Sequence, residues 1–208
     1  MMIIKKGDNW GELVGRPREL KIFETDALLG DFLGRDPSLD RARSNFAILK
    51  SNAARGLGLS GARPEARQML RTSFDLIEIQ GHEKEGPFTR LCVGYAILGN
   101  GFFRGRTVGI FNVSFCGGRD WAPRAHPNDG KLDVLRISPE MKVPQRILAY
   151  RRMKTGSHLP HPQISYHQSG EYLFDEARAT RLTVDSVKMG LVEECSFRVI
   201  ADALTLYW

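Results

Sequence analysis

The side chains able to do chemistry in this 208-residue chain gather in its second half. His158, His161 and His167, with Cys195, are ligand types that zinc takes. However, His158 and His161 flank Pro160 and no closed four-ligand spacing follows, so zinc is not expected. Serine, histidine and aspartate are all present, yet no Gly-x-Ser-x-Gly elbow presents a serine nucleophile. Asp129, in Asn128-Asp129-Gly130, offers oxygen to a hard cation; the same tripeptide equally forms a plain turn in which Gly130 supplies a positive φ. Phe102, Phe103, Phe111, Phe115 and Trp121 lie close in sequence to Arg104, Arg106, Arg119 and Arg124. Aromatic groups interleaved with guanidinium groups suit an acyl chain with an anionic head, or equally a core with a solvated rim.

The elements that must position these residues organise around Asn112–Asp133. An apolar run, Thr107–Phe115, enters Gly117-Gly118; a proline-containing loop and Asn-Asp-Gly follow, then the alternating run Lys131–Ile137. Two strands joined by a long ordered loop predict a functional loop on a β scaffold. Similar strand patterns cover Phe74–Ile79, Phe88–Leu98, Gln163–His167, Tyr172–Phe174, Ala179–Val184, Ser196–Ile200 and Ala203–Tyr207. Gly81–Pro87 reads as a turn and Pro144–Met153 as a helix. Upstream, Leu20–Leu33 reads as a strand and a short helix. Arg35–Ser38 is a turn in which Ser38 caps a helix over Leu39–Leu57, and a second helix starts at Pro64 and runs to Leu70. Residues 1–19, rich in glycine and charge around Trp10, pack locally or meet a partner. The expected fold is mainly β with some α: a helical segment over 1–72 and an antiparallel β-sandwich over 73–208.

The formal net charge of +6 suits phosphate groups, acidic membrane surfaces or nucleic acid, and equally a solvated basic surface. The arginines Arg16, Arg18, Arg41, Arg43, Arg151 and Arg152 are dispersed without a recognition motif, so nucleic acid is not an expected partner. Cys92, Cys116 and Cys195 form no CxxC and no secretion signal precedes them, which fits a reducing cytoplasm. The longest apolar stretch, Leu91–Phe103, is too short and too glycine-rich to span a bilayer, although contact with a membrane surface stays open.

The stretch Asn112…Gly117-Gly118…Pro123-Arg124-Ala125…Asp129-Gly130-Lys131-Leu132-Asp133-Val134 resembles the lipid-side half of diacylglycerol kinases and related bacterial lipid kinases, whose pattern is Asn…Gly-Gly…Pro-x-Ala…Asp-Gly-x-Leu-Asp-Val. Lys154–Pro162 resembles the Gly-x-His-x-x-His-Pro segment of that family. Asn52–Leu59 resembles Asn-Asp-Phe-Ala-Arg-x-Leu-Gly, and Phe74-Asp75-Leu76 resembles the strand that opens the second domain. The resemblance spans about residues 45–208. It implies substrate contacts at Asn112, Gly117, Gly118, Arg119, Pro123 and Arg124. It also implies a structural Mg²⁺ held by the Asp129 carboxylate and the backbone carbonyls of His126 and Lys131.

Two departures bear on activity. The family's Gly-Gly-Asp-Gly-Thr nucleotide loop has no counterpart, and Arg35–Ser51, where it belongs, contains no glycine to let backbone N–H groups approach a phosphate. Val184-Asp185-Ser186-Val187 stands where the family has Asp-Gly-Glu, so Val187 replaces the presumed general base and only Asp185 remains nearby. The expectation is a non-catalytic relative that binds a lipid or anionic amphiphile without ATP. The competing expectations are a lipid kinase completed by a separate nucleotide-binding chain, and a structural or assembly protein. Strand edges left uncovered would favour a homo-oligomer.

Overall fold

The computed structural model describes residues 11–36, 39–41, 44–83 and 86–208. Trp10, Pro37 and Ser38 lie outside this set, as does the tip of the turn expected after Gly81. The described chain begins with β1 (Glu12–Gly15), β2 (Lys21–Thr25), α1 (Asp26–Arg35), β3 (Asn45–Lys50) and α2 (Asn52–Gly56). Strands β4 (Gln68–Glu83), β5 (Gly86–Cys92), β6 (Tyr95–Gly99) and β7 (Thr107–Phe111) follow, then the two-residue strands β8 (Phe115–Cys116) and β9 (Arg119–Asp120). Strand β10 (Leu132–Ile137), α3 (Val143–Arg152), β11 (Ile164–Ser169), β12 (Glu171–Val184) and β13 (Val187–Tyr207) complete it. One large sheet runs β1-β4-β13-β12-β6-β7-β10-β11 with antiparallel neighbours. Strand β5 pairs with β4, and β3 joins β13 and β2 in parallel. The sheet folds over itself, so Ile77, Ile79, Ile110, Val134, Phe174 and Phe197 from its different parts form one sandwich interior. The expected antiparallel β-sandwich of mainly-β, α+β class is the fold observed.

Several elements form where their patterns place them. Strand β2 and α1 match the strand and short helix of Leu20–Leu33, with Thr25 capping the helix by accepting the Leu28 N–H. Strand β10 and α3 likewise coincide with their predicted runs. The helix predicted over Leu39–Leu57 is not formed. Phe46, Ala47 and Ile48 are fully buried in β3 between two parallel neighbours, and a strand covered on both faces gives an apolar run that imitates helical spacing. Only the end of that stretch is helical: Ser51 accepts the Ala54 N–H and starts the short α2. The helix predicted from Pro64 to Leu70 is also absent. Its second half opens β4, where Met69 and Leu70 pair with Val14 and Leu13, so sheet pairing overrides local propensity.

Other runs are divided or joined. Phe88–Leu98 is two strands, interrupted at Val93-Gly94, and Thr107–Phe115 breaks after Phe111. The turn of Gly81–Pro87 narrows, since His82 and Glu83 already pair with Pro87 and Gly86. Conversely, Tyr172–Phe174 and Ala179–Val184 belong to β12, and Ser196–Ile200 and Ala203–Tyr207 to β13, each with an irregularity in between. Residue 72 therefore falls inside β4, and the segment before it carries three strands of the main sheet as well as two helices.

Candidate functional site

Asp185 and Ser186 form the two-residue turn between β12 and β13, with φ of 44° and 74°. Two successive positive φ values close a hairpin whose twist matches its strands. The turn drives Asp185 inward, where it is 4% exposed. Its carboxylate accepts the N–H groups of Val93, Gly94 and Tyr95 at 2.8, 2.9 and 3.0 Å. That is why the predicted strand breaks at this point: its backbone donors serve a side chain instead of a neighbouring strand. Gly94 permits the approach, since a Cβ there would meet the Asp185 carboxylate at 3.0 Å. Ser186 hydrogen-bonds the Tyr95 hydroxyl at 2.7 Å.

Opposite Asp185, the β2–α1 junction places Asp26, also buried. Asp26 accepts the Ser51 hydroxyl at 2.5 Å and the Asn52 N–H at 2.7 Å, tying α1 to the start of α2. Burial, and then repulsion from Asp185, raise Asp26 to about 7. Asp185 is raised too, by burial first, against the three N–H groups that stabilise its charge. Sequence reasoning missed Asp26. The signal was Thr25-Asp26 at a strand-to-helix junction, a cap followed by an acid in the first turn. This junction lies upstream of Arg35–Ser51 and contains no glycine either.

A cavity of about 600 Å³ opens beside this pair between α1, β5 and the β12–β13 hairpin. Leu28, Leu91, Val184, Val187 and Met189 give it an apolar wall; Arg35, Arg90 and Asp31 stand on its rim. Asp31 pairs with Arg35 at 2.5 Å but reaches Arg90 only at 3.9 Å, beyond hydrogen-bonding distance. Val187 is half exposed at the mouth, so the position expected to be empty of a base faces the cavity with an isopropyl group.

Of the residues implied as substrate contacts, Pro123 and Arg124 share the lining of one cavity, and Gly117, Gly118 and Arg119 share one hairpin. Asn112 is fully buried and donates to the carbonyls of Asp75 and Val93 at 2.8 and 3.0 Å, bracing β4 against the β5–β6 break. Gly117 and Gly118, with φ of 57° and 74°, turn the short β8–β9 hairpin. The Arg119 guanidinium lies 4.6 Å over the Tyr150 ring. Pro123 and Arg124 line a second cavity of about 610 Å³ with His161 and Tyr166. The Tyr166 hydroxyl donates to Asp133 at 2.5 Å, while burial raises Asp133 to about 6.

In the Asp-Gly loop, Asp129 is half-buried and accepts the Lys131 N–H at 3.0 Å, an Asx turn. Asp75 receives the N–H groups of Gly130 and Asp202, and burial, with repulsion from Asp202 and Asp129, leaves it at about 6. Burial raises Asp129 as well. His126 is buried and its Nδ1 accepts the Asn128 N–H. Among the described residues, no group of three or more His, Cys, Asp or Glu side chains is placed to hold a metal. The three cysteines are free and buried, and His158 Nε2 engages the Trp121 carbonyl. No described helix is long and apolar enough to cross a membrane.

The sequence profile of the YegS C-terminal NAD kinase beta sandwich-like domain matches residues 94–207. Among solved structures, a diacylglycerol kinase from Bacillus anthracis Sterne superposes with a TM-score of 0.59 at 12% identity, covering 90% of this chain and 75% of that one. Yeast NADH kinase complexed with NADH superposes with a TM-score of 0.50 at 8% identity, over 91% of this chain and 60% of that one. At these identities the likeness to both is one of fold. No curated protein sequence matches the chain significantly.

Proposed function

The chain belongs to the family of the YegS C-terminal NAD kinase beta sandwich-like domain, and from that premise we propose that it is a non-catalytic relative of the lipid kinases that binds a lipid or another anionic amphiphile. The observation that carries this reading is the make-up of the 600 Å³ cavity: an apolar wall, two rim arginines, and Val187 at the position where a general base is expected. Asp185 is held by three backbone N–H groups and Asp26 by Ser51 and Asn52. Asp31 pairs with Arg35 on the rim, and Val187 offers no base. A kinase needs a group able to take the proton of the attacking hydroxyl. A binding protein needs only the wall for an acyl chain and a guanidinium for the head group, which Arg90 supplies.

Mass spectrometry of an organic extract of the purified chain tests this. The expected result is one amphiphile class at near-equimolar amount, reduced about tenfold in Arg90→Glu through loss of a charge-assisted contact. An empty extract from the native chain, or transfer of phosphate from ATP to a diacylglycerol, would overturn the reading.

We propose that the Asp-Gly loop takes a magnesium ion, a hard cation suited to its oxygens, beside Asp75, which burial and the nearby Asp202 and Asp129 raise to about 6. The Asp129 carboxylate and the carbonyls of His126 and Lys131 would hold it, and its chemistry there is charge neutralisation of the loop. Added Mg²⁺ should then raise the Tm of the native chain and leave Asp129→Asn unmoved; equal responses would count against the site.

A further inference from the structure

Helix α3 buries an arginine and exposes apolar side chains. Its core-facing side carries Arg146, 1% exposed, whose guanidinium donates to the carbonyls of Phe102, Gly105, Ser138 and Met141 at 2.5 to 2.9 Å. These bonds clamp the helix to the loop after β6 and set Phe103 beside it, 5.0 Å from the Tyr150 ring. The outward side also carries apolar groups: Val143, Ile147 and Leu148 are 57%, 42% and 49% exposed, and Phe103 is 44% exposed. A surface helix ordinarily turns such side chains toward the core, and exposed apolar groups gathered on one element mark an interaction surface.

Cations surround this patch. Lys142, Arg151 and Arg152 lie on or next to the helix, Arg104 follows Phe103, and α3 contains no acidic residue. Among the described residues, no ion pair joins any of these four to a carboxylate. We propose that the outer face of α3, together with Phe103, docks on an anionic membrane surface. Apolar side chains enter the head-group boundary while the flanking lysine and arginines meet the lipid phosphates, the arrangement an interfacial helix uses. A second copy of the chain fits less well, because a two-fold contact through this face would set the same cations against each other. The face is separate from the cavity beside Asp185, so this docking stands or falls independently of the amphiphile reading.

Co-sedimentation of the full chain with large unilamellar vesicles tests it. The chain should pellet with phosphatidylcholine vesicles containing a third phosphatidylglycerol, less with pure phosphatidylcholine, and less again in high salt, which screens the flanking charges. Ile147→Asp and Leu148→Asp, both at outward positions, should keep the native Tm and lower partitioning by about tenfold each. Arg151→Glu with Arg152→Glu should abolish the preference for phosphatidylglycerol, whereas Arg90→Glu should leave partitioning unchanged. The proposal is overturned if the native chain does not pellet, if Ile147→Asp pellets equally, or if light scattering shows a dimer that Ile147→Asp dissolves while vesicles stay unbound.

Discussion

At the scale of single residues, the Asp26–Asp185 pair sets how the protein responds to pH. Two buried carboxyls that repel each other titrate together, and the shared effect is that one of them keeps a proton well above its unfolded value. Between Asp26's ordinary 3.8 and its folded value of about 7, the folded state binds more protons than the unfolded one. Stability therefore falls as pH rises through that window. Asp75 and Asp133, each raised to about 6 by burial, add in the same direction. The chain should melt higher at pH 5 than at pH 8, and Asp26→Asn should narrow that difference; an unchanged difference in the variant would exclude Asp26 as its source. Of this pair, Asp185 was legible because a known motif pointed at its position. Asp26 was not, because its significance lies in repulsion from a residue 159 positions along the chain (185 − 26), which no local spacing encodes. Asn112 has a structural role that its motif position did not announce, since its amide N–H groups brace two backbone carbonyls.

At the scale of elements, legibility followed how each segment meets its neighbours. The β2–α1 unit, β10 and α3 have local patterns that agree with their packing, and they form as the pattern predicts. Strand β3 and the start of β4 are defined by non-local partners on both sides, so their apolar runs could not distinguish strand from helix. Helix α3 is legible in extent but not in orientation, since Arg146 reads as a surface charge and turns out to be its anchor. Arg146→Met should therefore cost about 3 kcal/mol or more, because four carbonyls lose their shared donor in a dry setting. Arg146→Lys, with three donors on a point charge, should recover only part of this. The loop bearing Phe102 should loosen with it, and Phe102 packs edge-on against Trp121 at 5.3 Å. A shift in tryptophan emission accompanying the fall in Tm would report that coupling; a full loss of stability with unaltered emission would show that the arginine does not hold the loop.

At the scale of the whole molecule, β4 and β13 join what the composition of the two halves suggests separating. Their apolar side chains Phe74, Leu76, Leu204 and Leu206, with Trp208, pack into one cluster with Leu29, Leu33, Phe46, Ile48, Ala53 and Ala54 from the first 72 residues. The C-terminal Trp208 exchanges backbone hydrogen bonds with Leu70, and its indole N–H donates to Thr72. A cut at residue 72 would thus strip six buried side chains and a strand end from the sandwich. At about 1.5 to 3 kcal/mol for each large apolar group, that loss is comparable to the whole stability of a typical domain, about 5–15 kcal/mol. The full chain should unfold in a single transition by near-UV and far-UV circular dichroism. A fragment of residues 73–208 should keep β-type far-UV signal, lose near-UV signal and bind a hydrophobic dye, as expected of a sheet whose one face is uncovered. Retention of a native near-UV spectrum by that fragment would instead show that the sandwich folds alone and that the first 72 residues are an attachment to it.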